Sequence, residues 1–226
     1  MAELVLALDL PDRLATLRLL DRLPDVGWVK VGSRLMMAEG PGMVRELVAR
    51  GHSVFLDLKW HDIPNTVRDA VRAAGDLGVR MVTVHALGGF EMMAAAAEAA
   101  RTDLAVVAVT VLTSHTPASY AAATGRSAPD LVVEAARLAR LAMEAGAAGV
   151  VCSAREAEPL RGELGASALI VVPGIRRETD PADDQSRTAT PVEAIRAGAT
   201  HLVIGRPVVQ APDPAAAWAG FRAGVS

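Results

Sequence analysis

Along the chain a short apolar run is repeatedly followed by a longer segment whose apolar positions recur every three to four residues, the signature of a strand followed by an amphipathic helix. The strand-like runs are ELVLALDL (3–10), GWVKVG (27–32), SVFLDLK (53–59), RMVTVHA (80–86), DLAVVAVTVL (103–112), AGVVCS (148–153), ALIVVPG (168–174) and THLVIG (200–205). Between them lie amphipathic or alanine-rich stretches such as DRLATLRLLDRL, PGMVRELVARG, NTVRDAVRAAGDLG and DLVVEAARLARLAMEAG, and AAAWAGFRAG follows the last strand. Several of these stretches end in glycine, a common helix stop.

Eight such units predict an α/β fold, a (β/α)8 TIM barrel somewhat shorter than the usual ~250 residues. The nearly unbroken Val, Ile and Leu of the fifth, seventh and eighth runs reads as parallel strands buried on both faces. A doubly wound sheet would satisfy the same pattern, but DLPDR follows the first strand where that fold carries a glycine-rich dinucleotide turn. With no linker, low-complexity tail or repeat beyond the unit itself, residues 1–226 are expected to form a single barrel domain. Two connections, 113–129 and 175–190, exceed the common two to six residues and follow strand C-terminal ends, where barrels carry catalytic loops and lids.

One strand breaks the apolar rule. In FLDLKWHDIPNT (55–66), side chains two apart share a face, so Asp57 and Lys59 are expected to point into the barrel while Leu56, Leu58 and Trp60 point outward. Unpaired charge there is costly, so the pair needs a chemical reason. Other polar residues collect at the same strand ends: Asp9, Lys30, Thr113, Arg176 and Arg206. The loops after strands seven and eight, VVPGIRRETD and VIGRPVVQ, join Gly174 to Arg176 and Gly205 to Arg206. Glycine lets backbone N–H groups approach an anion and arginine supplies a forked donor, so these loops form a candidate phosphate site. Asp12 and Asp130 are expected to be helix caps.

Composition narrows the function. The 226 residues are 51% hydrophobic and 22% charged, with a net charge of -3. No basic run exists to neutralise a nucleic-acid backbone, which excludes a groove binder and leaves room for a small acidic ligand. Of the 23 basic residues, Lys30 and Lys59 are the two lysines and the rest are arginine. An ammonium can give up a proton near neutral pH and a guanidinium cannot, so both lysines become candidates for proton chemistry. The five histidines lack close metal-ligand spacing, and a lysine between carboxylates competes with a divalent ion; no metal is expected. His61 and His85 read as polar packing near the active face. Cys152, the single cysteine, sits in the apolar run GVVCSA and reads as a small buried hydrophobe. No apolar run approaches the ~18 residues of a membrane helix, and MAELVLALDLPD lacks a basic leader region, so a cytoplasmic location is expected.

DLKWHDIPNT (57–66) resembles the signature of the orotidine 5'-phosphate decarboxylase family, bacterial type, and LALDLPD, WVKVG, TVLTS, VPGIR, DDQSR and GRPV resemble that family's other blocks in the same order. Trp60 departs from the usual apolar residue at its position. The resemblance implies cofactor-free decarboxylation of orotidine monophosphate to uridine monophosphate by a homodimer of barrels. It implies that Asp57, Lys59 and Asp62 form the charged catalytic array, with Lys59 protonating C6. Asp9 and Lys30 correspond to ribose-binding positions, Thr113 to the pyrimidine region, and Arg176, Gln185, Gly205 and Arg206 to the phosphate side. Asp62 and Thr66 correspond to residues that reach the neighbouring subunit's site. Two rivals stand beside this reading: a magnesium-dependent sugar-phosphate decarboxylase or aldolase of the same superfamily, and a non-catalytic nucleotide-binding regulator.

Overall fold

A strand covered on both faces needs apolar side chains at both parities, and the strands here have them. The computed structural model describes residues 2–177, 180 and 188–225. Among these, eight parallel strands pair in chain order: β1 (Glu3–Ala7), β2 (Trp28–Gly32), β3 (Ser53–Trp60), β4 (Met81–His85), β5 (Ala105–Val109), β6 (Gly149–Val151), β7 (Leu169–Pro173) and β8 (His201–Ile204). Strand β8 pairs with β1 and closes the barrel, as the alternation predicts.

Closure separates two apolar clusters. Val5, Phe55, Met81, Val107, Val171 and Val203 project inward and fill the barrel. Their neighbours Leu4, Leu6, Val54, Leu56, Ile170 and Val172 project outward into a larger layer shared with the helices. Burying a side chain of this size stabilises by roughly 1.5–3 kcal/mol, so the outer layer carries most of the hydrophobic stabilisation. Trp60 packs against that outer layer, on the side its parity predicts.

The covering helices are α1 (Arg13–Asp21), α2 (Ser33–Ala49), α3 (Pro64–Asp76), α4 (Phe90–Ala99), α5 (Pro117–Thr124), α6 (Leu131–Glu144), α7 (Ala154–Leu164), α8 (Pro191–Arg196), α9 (Arg206–Val209) and α10 (Pro214–Ala223). Helix α2 breaks at Gly40, whose φ of 66° precedes Pro41. Asp12 accepts from the Ala15 N–H and Asp130 from the Val132 N–H, so both are the caps expected of them. No helix among the described residues is long and apolar enough to cross a membrane.

Two expectations need correction. Several strands are shorter than their apolar runs: β1 ends at Ala7 rather than 10, and β5 spans Ala105–Val109 rather than 103–112. Leu8 and Thr110 each donate one more backbone bond across the sheet, and beyond them Leu10 and Val111 pack on the outer layer without a ladder partner. The connection 113–129 is also more than an open loop. It contains α5, closed by a Thr116–Ser119 capping box and by Gly125 at φ 71°. The buried Tyr120 hydroxyl donates to Glu134 of α6 at 3.3 Å, and Arg126 and Arg137 pair with the same carboxylate at 2.8 and 3.1 Å. These contacts make α5 a fixed wall beside the barrel mouth. Of the connection 175–190, Ile175 and Ala189 form a bridge, while 178–179 and 181–187 lie outside the described residues.

Candidate active site

At the C-terminal ends of the strands, neighbouring inward positions place charges of opposite sign side by side. Lys30 ends the inward row of β2, and its Nζ lies 3.3 Å from Asp9 Oδ1 and 3.5 Å from Asp57 Oδ2. Lys59 Nζ approaches the other oxygen of Asp57 at 2.8 Å. The result is a continuous alternation, Asp9–Lys30–Asp57–Lys59. The inner members are enclosed, with Lys30 and Asp57 side chains 11% and 13% exposed, while that of Lys59 is 40% exposed.

Burial opposes ionisation of Asp57. The two ammonium groups and the hydrogen bonds from Lys59 and Thr83 outweigh it, holding the carboxyl below the ordinary carboxylate range.

Lys59 reaches Asp57 by a route that simple alternation does not give. Leu56 pairs with Val82 and Trp60 with Val84, so residues 57, 58 and 59 of β3 face Thr83 of β4 in a bulge. Lys59 sits there at φ 51°, a left-handed conformation uncommon outside glycine. Its backbone N–H donates to Thr83 Oγ1 at 2.8 Å, and the Thr83 hydroxyl donates to Asp57 Oδ1 at 3.0 Å. Thr83 is a residue the sequence reading missed. The available signal was a hydroxyl at inward parity in the otherwise apolar MVTV.

These groups open into a pocket of ≈ 260 Å³ lined by Asp9, Lys30, Asp57, Lys59, Thr113, Gly174, Arg176, Gly205 and Arg206 together with inward apolar residues. Gly174 adopts φ 78°, and a Cβ on Gly205 would stand 3.4 Å from that of Ala7. Gly32 borders the array too: a Cβ there would lie 3.1 Å from both Asp9 Oδ1 and Lys30 Nζ, so its absence keeps space beside the two charges. The mouth therefore gathers a lysine–carboxylate array, two arginines and two glycines around one pocket.

Asp62 and Thr66 are not among the residues lining this pocket. Both are exposed, and Asp62 accepts from the Ile63 N–H. Within the described residues Lys59 has an ion pair with Asp57 and none with Asp62. Gln185 lies outside the described residues. His61 and His85 stack at 5.5 Å between ring centres near the mouth. Burial, and then the positive charge of His61, Lys59 and His115, depresses the His85 imidazole to about 4. No group of three or more His, Cys, Asp or Glu among the described residues has an arrangement that would hold a metal ion.

Fold and site define a (β/α)8-barrel protein whose mouth holds a lysine–carboxylate array and two arginines in one pocket. Residues 2–221 match the model of the orotidine 5'-phosphate decarboxylase / HUMPS family, and the chain belongs to that family. It is 52% identical over 220 residues to the orotidine 5'-phosphate decarboxylase of Chromohalobacter salexigens, covering 96% of this chain and 92% of that one. It is 48% identical over 230 residues to the protein of the same name from Laribacter hongkongensis, covering 100% and 94%. The crystal structure of orotidine 5'-phosphate decarboxylase from Lactobacillus acidophilus superposes with a TM-score of 0.87 at 32% identity over the whole of both chains.

Proposed function

We propose that this protein, acting as one barrel domain over residues 1–226, decarboxylates orotidine 5'-monophosphate to uridine 5'-monophosphate and CO2 without a cofactor, the last step of de novo UMP synthesis. The observation that carries this reading is the Lys30–Asp57–Lys59 array, with an ammonium that is both partly accessible and anchored by a buried carboxylate.

The chemistry needs such an arrangement. Breaking the bond between C6 and the carboxylate leaves its electron pair on a ring carbon that no cofactor delocalises. A fixed cation beside that carbon stabilises the developing charge. The same cation then delivers a proton to C6. Lys59 meets both requirements, and its exposed face allows reprotonation from solvent. Asp57 adds repulsion toward the substrate carboxylate, about 4 kcal/mol for unit charges ~4 Å apart at an effective dielectric near 20. Enzymes commonly lower barriers by about 8–23 kcal/mol, so charge stabilisation and proton delivery by Lys59 remain the larger part.

Asp9 and Lys30 bind the ribose hydroxyls in this reading, Thr113 the pyrimidine, and Arg176, Gln185, Gly205 and Arg206 the phosphate. Binding energy from the remote phosphate is then available for closing the mouth over the reacting ring. Asp62 and Thr66 complete the site of a second subunit in a homodimer. The exposed apolar side chains Ile63 and Leu87, on the β3–α3 and β4–α4 connections, and Phe90, at the start of α4, support an interface on that side. We assign the enzyme to the cytoplasm, where its nucleotide substrate would be made.

The test is the absorbance change of orotidine monophosphate on mixing with the protein, with and without EDTA. Turnover unaffected by EDTA is expected. Loss of turnover on chelation would favour a metal-dependent sugar-phosphate enzyme, and no turnover in either condition would leave a nucleotide-binding regulator.

A further inference from the structure

The bulge in β3 leaves the Lys59 backbone without its ordinary ladder partner, and a side chain takes that partner's place. Thr83 is fully buried, faces the barrel interior between Met81 and His85, and stands opposite residues 57 to 59. Its one hydroxyl makes two bonds of opposite sense, accepting from the Lys59 N–H at 2.8 Å and donating to Asp57 Oδ1 at 3.0 Å. That carboxylate oxygen is also the one that Lys59 Nζ approaches. A closed loop results: Lys59 backbone, Thr83 hydroxyl, Asp57 carboxylate, Lys59 ammonium.

We infer that Thr83 is a positioning residue for the decarboxylation, locking Lys59 in its left-handed conformation and orienting Asp57 so that the Lys59 ammonium is aimed at one point in the mouth. The kinetic part of this inference rests on the decarboxylase reading above. Left-handed backbone at a non-glycine residue persists where surrounding contacts over-determine it. Here the identifiable contact at the backbone N–H is Thr83. A valine would fill nearly the same volume and keep the strand propensity, yet it would neither accept the Lys59 N–H nor donate to Asp57. Released from that bond, Lys59 would relax toward ordinary strand geometry and swing its ammonium away. A displacement of about 1 Å at a reacting group commonly costs on the order of a hundredfold in rate.

The experiment compares wild type, Thr83→Val and Thr83→Ser by steady-state kinetics with orotidine monophosphate, by calorimetric binding of uridine monophosphate, and by carbon-13 carboxyl titration of Asp57. Thr83→Val is expected to lower kcat by roughly ten- to a hundredfold with UMP affinity held within about threefold. The Asp57 titration should move upward, because the carboxylate loses one of the donors that hold it down. Thr83→Ser retains the hydroxyl and should return both kcat and the titration close to wild type. Wild-type kcat and an unmoved Asp57 titration in Thr83→Val would overturn the inference, as would a serine variant as impaired as the valine one. Should wild type itself fail to turn over the substrate, the decarboxylase reading falls, and the Asp57 titration together with amide exchange of Lys59 still decides whether Thr83 holds these two residues. If Thr83→Val does not fold, Thr83→Ala removes the same hydroxyl and carries the same comparison.

Discussion

Lys59 Nζ and Asp57 Oδ1 are 2.8 Å apart although the strand between them leaves its ladder and turns left-handed at the lysine. The contact is maintained against the local backbone preference, which ties the lysine's position to its ammonium rather than to strand packing. Lys59→Ala should therefore lower kcat by at least on the order of a hundredfold, the usual floor for losing a general acid, with UMP still bound. Lys59→Arg should fail as well, because a guanidinium keeps the charge but does not give up a proton. Stopped-flow absorbance and calorimetry check both, and near-normal turnover in either variant would remove Lys59 from its role.

Arg206 lines the same pocket as that pair, next to Gly205. If it grips the phosphate, wild type should bind UMP much more tightly than uridine, and Arg206→Ala should close most of that gap while leaving uridine affinity alone. The expected loss is about 2–4 kcal/mol of apparent affinity for the charged ligand, judged from charge-assisted pairs in general. Equal losses for both ligands would place the arginine elsewhere.

Asp62 and Thr66 are exposed and do not line the pocket of their own chain. Mixing Lys59→Ala with Asp62→Ala, each inactive alone, should restore activity if each site draws Asp62 from the partner. Random reassortment makes half the dimers mixed with one intact site in two, so about a quarter of wild-type activity is expected. No recovery after subunit exchange, verified by a tag on one variant, would confine Asp62 to its own chain.

Burial depresses the His201 imidazole from 6.5 to about 4, where it lies edge-on to Trp28 with Thr200 Oγ1 3.0 Å from Nδ1. Between those two values the unfolded chain binds a proton that the folded chain does not, so stability falls as the pH drops below 6.5 and is unaffected above it. From pH 7 to pH 5 this amounts to at most about 2 kcal/mol. Urea midpoints at the two pH values measure it, and His201→Gln should reduce the drop. An unchanged drop would assign the acid sensitivity to other groups.

How much of this was legible in the residues depended on whether a local pattern carried it. The eight strands and their parity were, because inward Val5 and Phe55 and outward Leu6 and Leu56 follow a two-residue period that no partner has to supply. The strand ends were not, because a run such as DLAVVAVTVL stays apolar after its hydrogen-bond partner has gone. Among the site residues, Asp9, Lys30, Thr113, Arg176 and Arg206 were visible as polar breaks at strand ends, and the pocket gathers them. Thr83 was hidden because threonine is an ordinary strand former and its second bond depends on a bulge in a different strand. The left-handed Lys59 was hidden for the related reason that lysine carries no local preference for that conformation.

Both lysines of the chain border one pocket, and every other basic side chain that could decorate the surface is an arginine or a histidine. An amine-selective reagent therefore meets ε-amino groups at a single location, with Lys59 the more accessible of the two. Covalent labelling followed by mass spectrometry thus becomes an occupancy gauge for the mouth, readable in a crude mixture and independent of any turnover. The same scarcity means that any attachment made through an ε-amino group would tether the protein by its own mouth, and tethering through an engineered surface group would leave that mouth open.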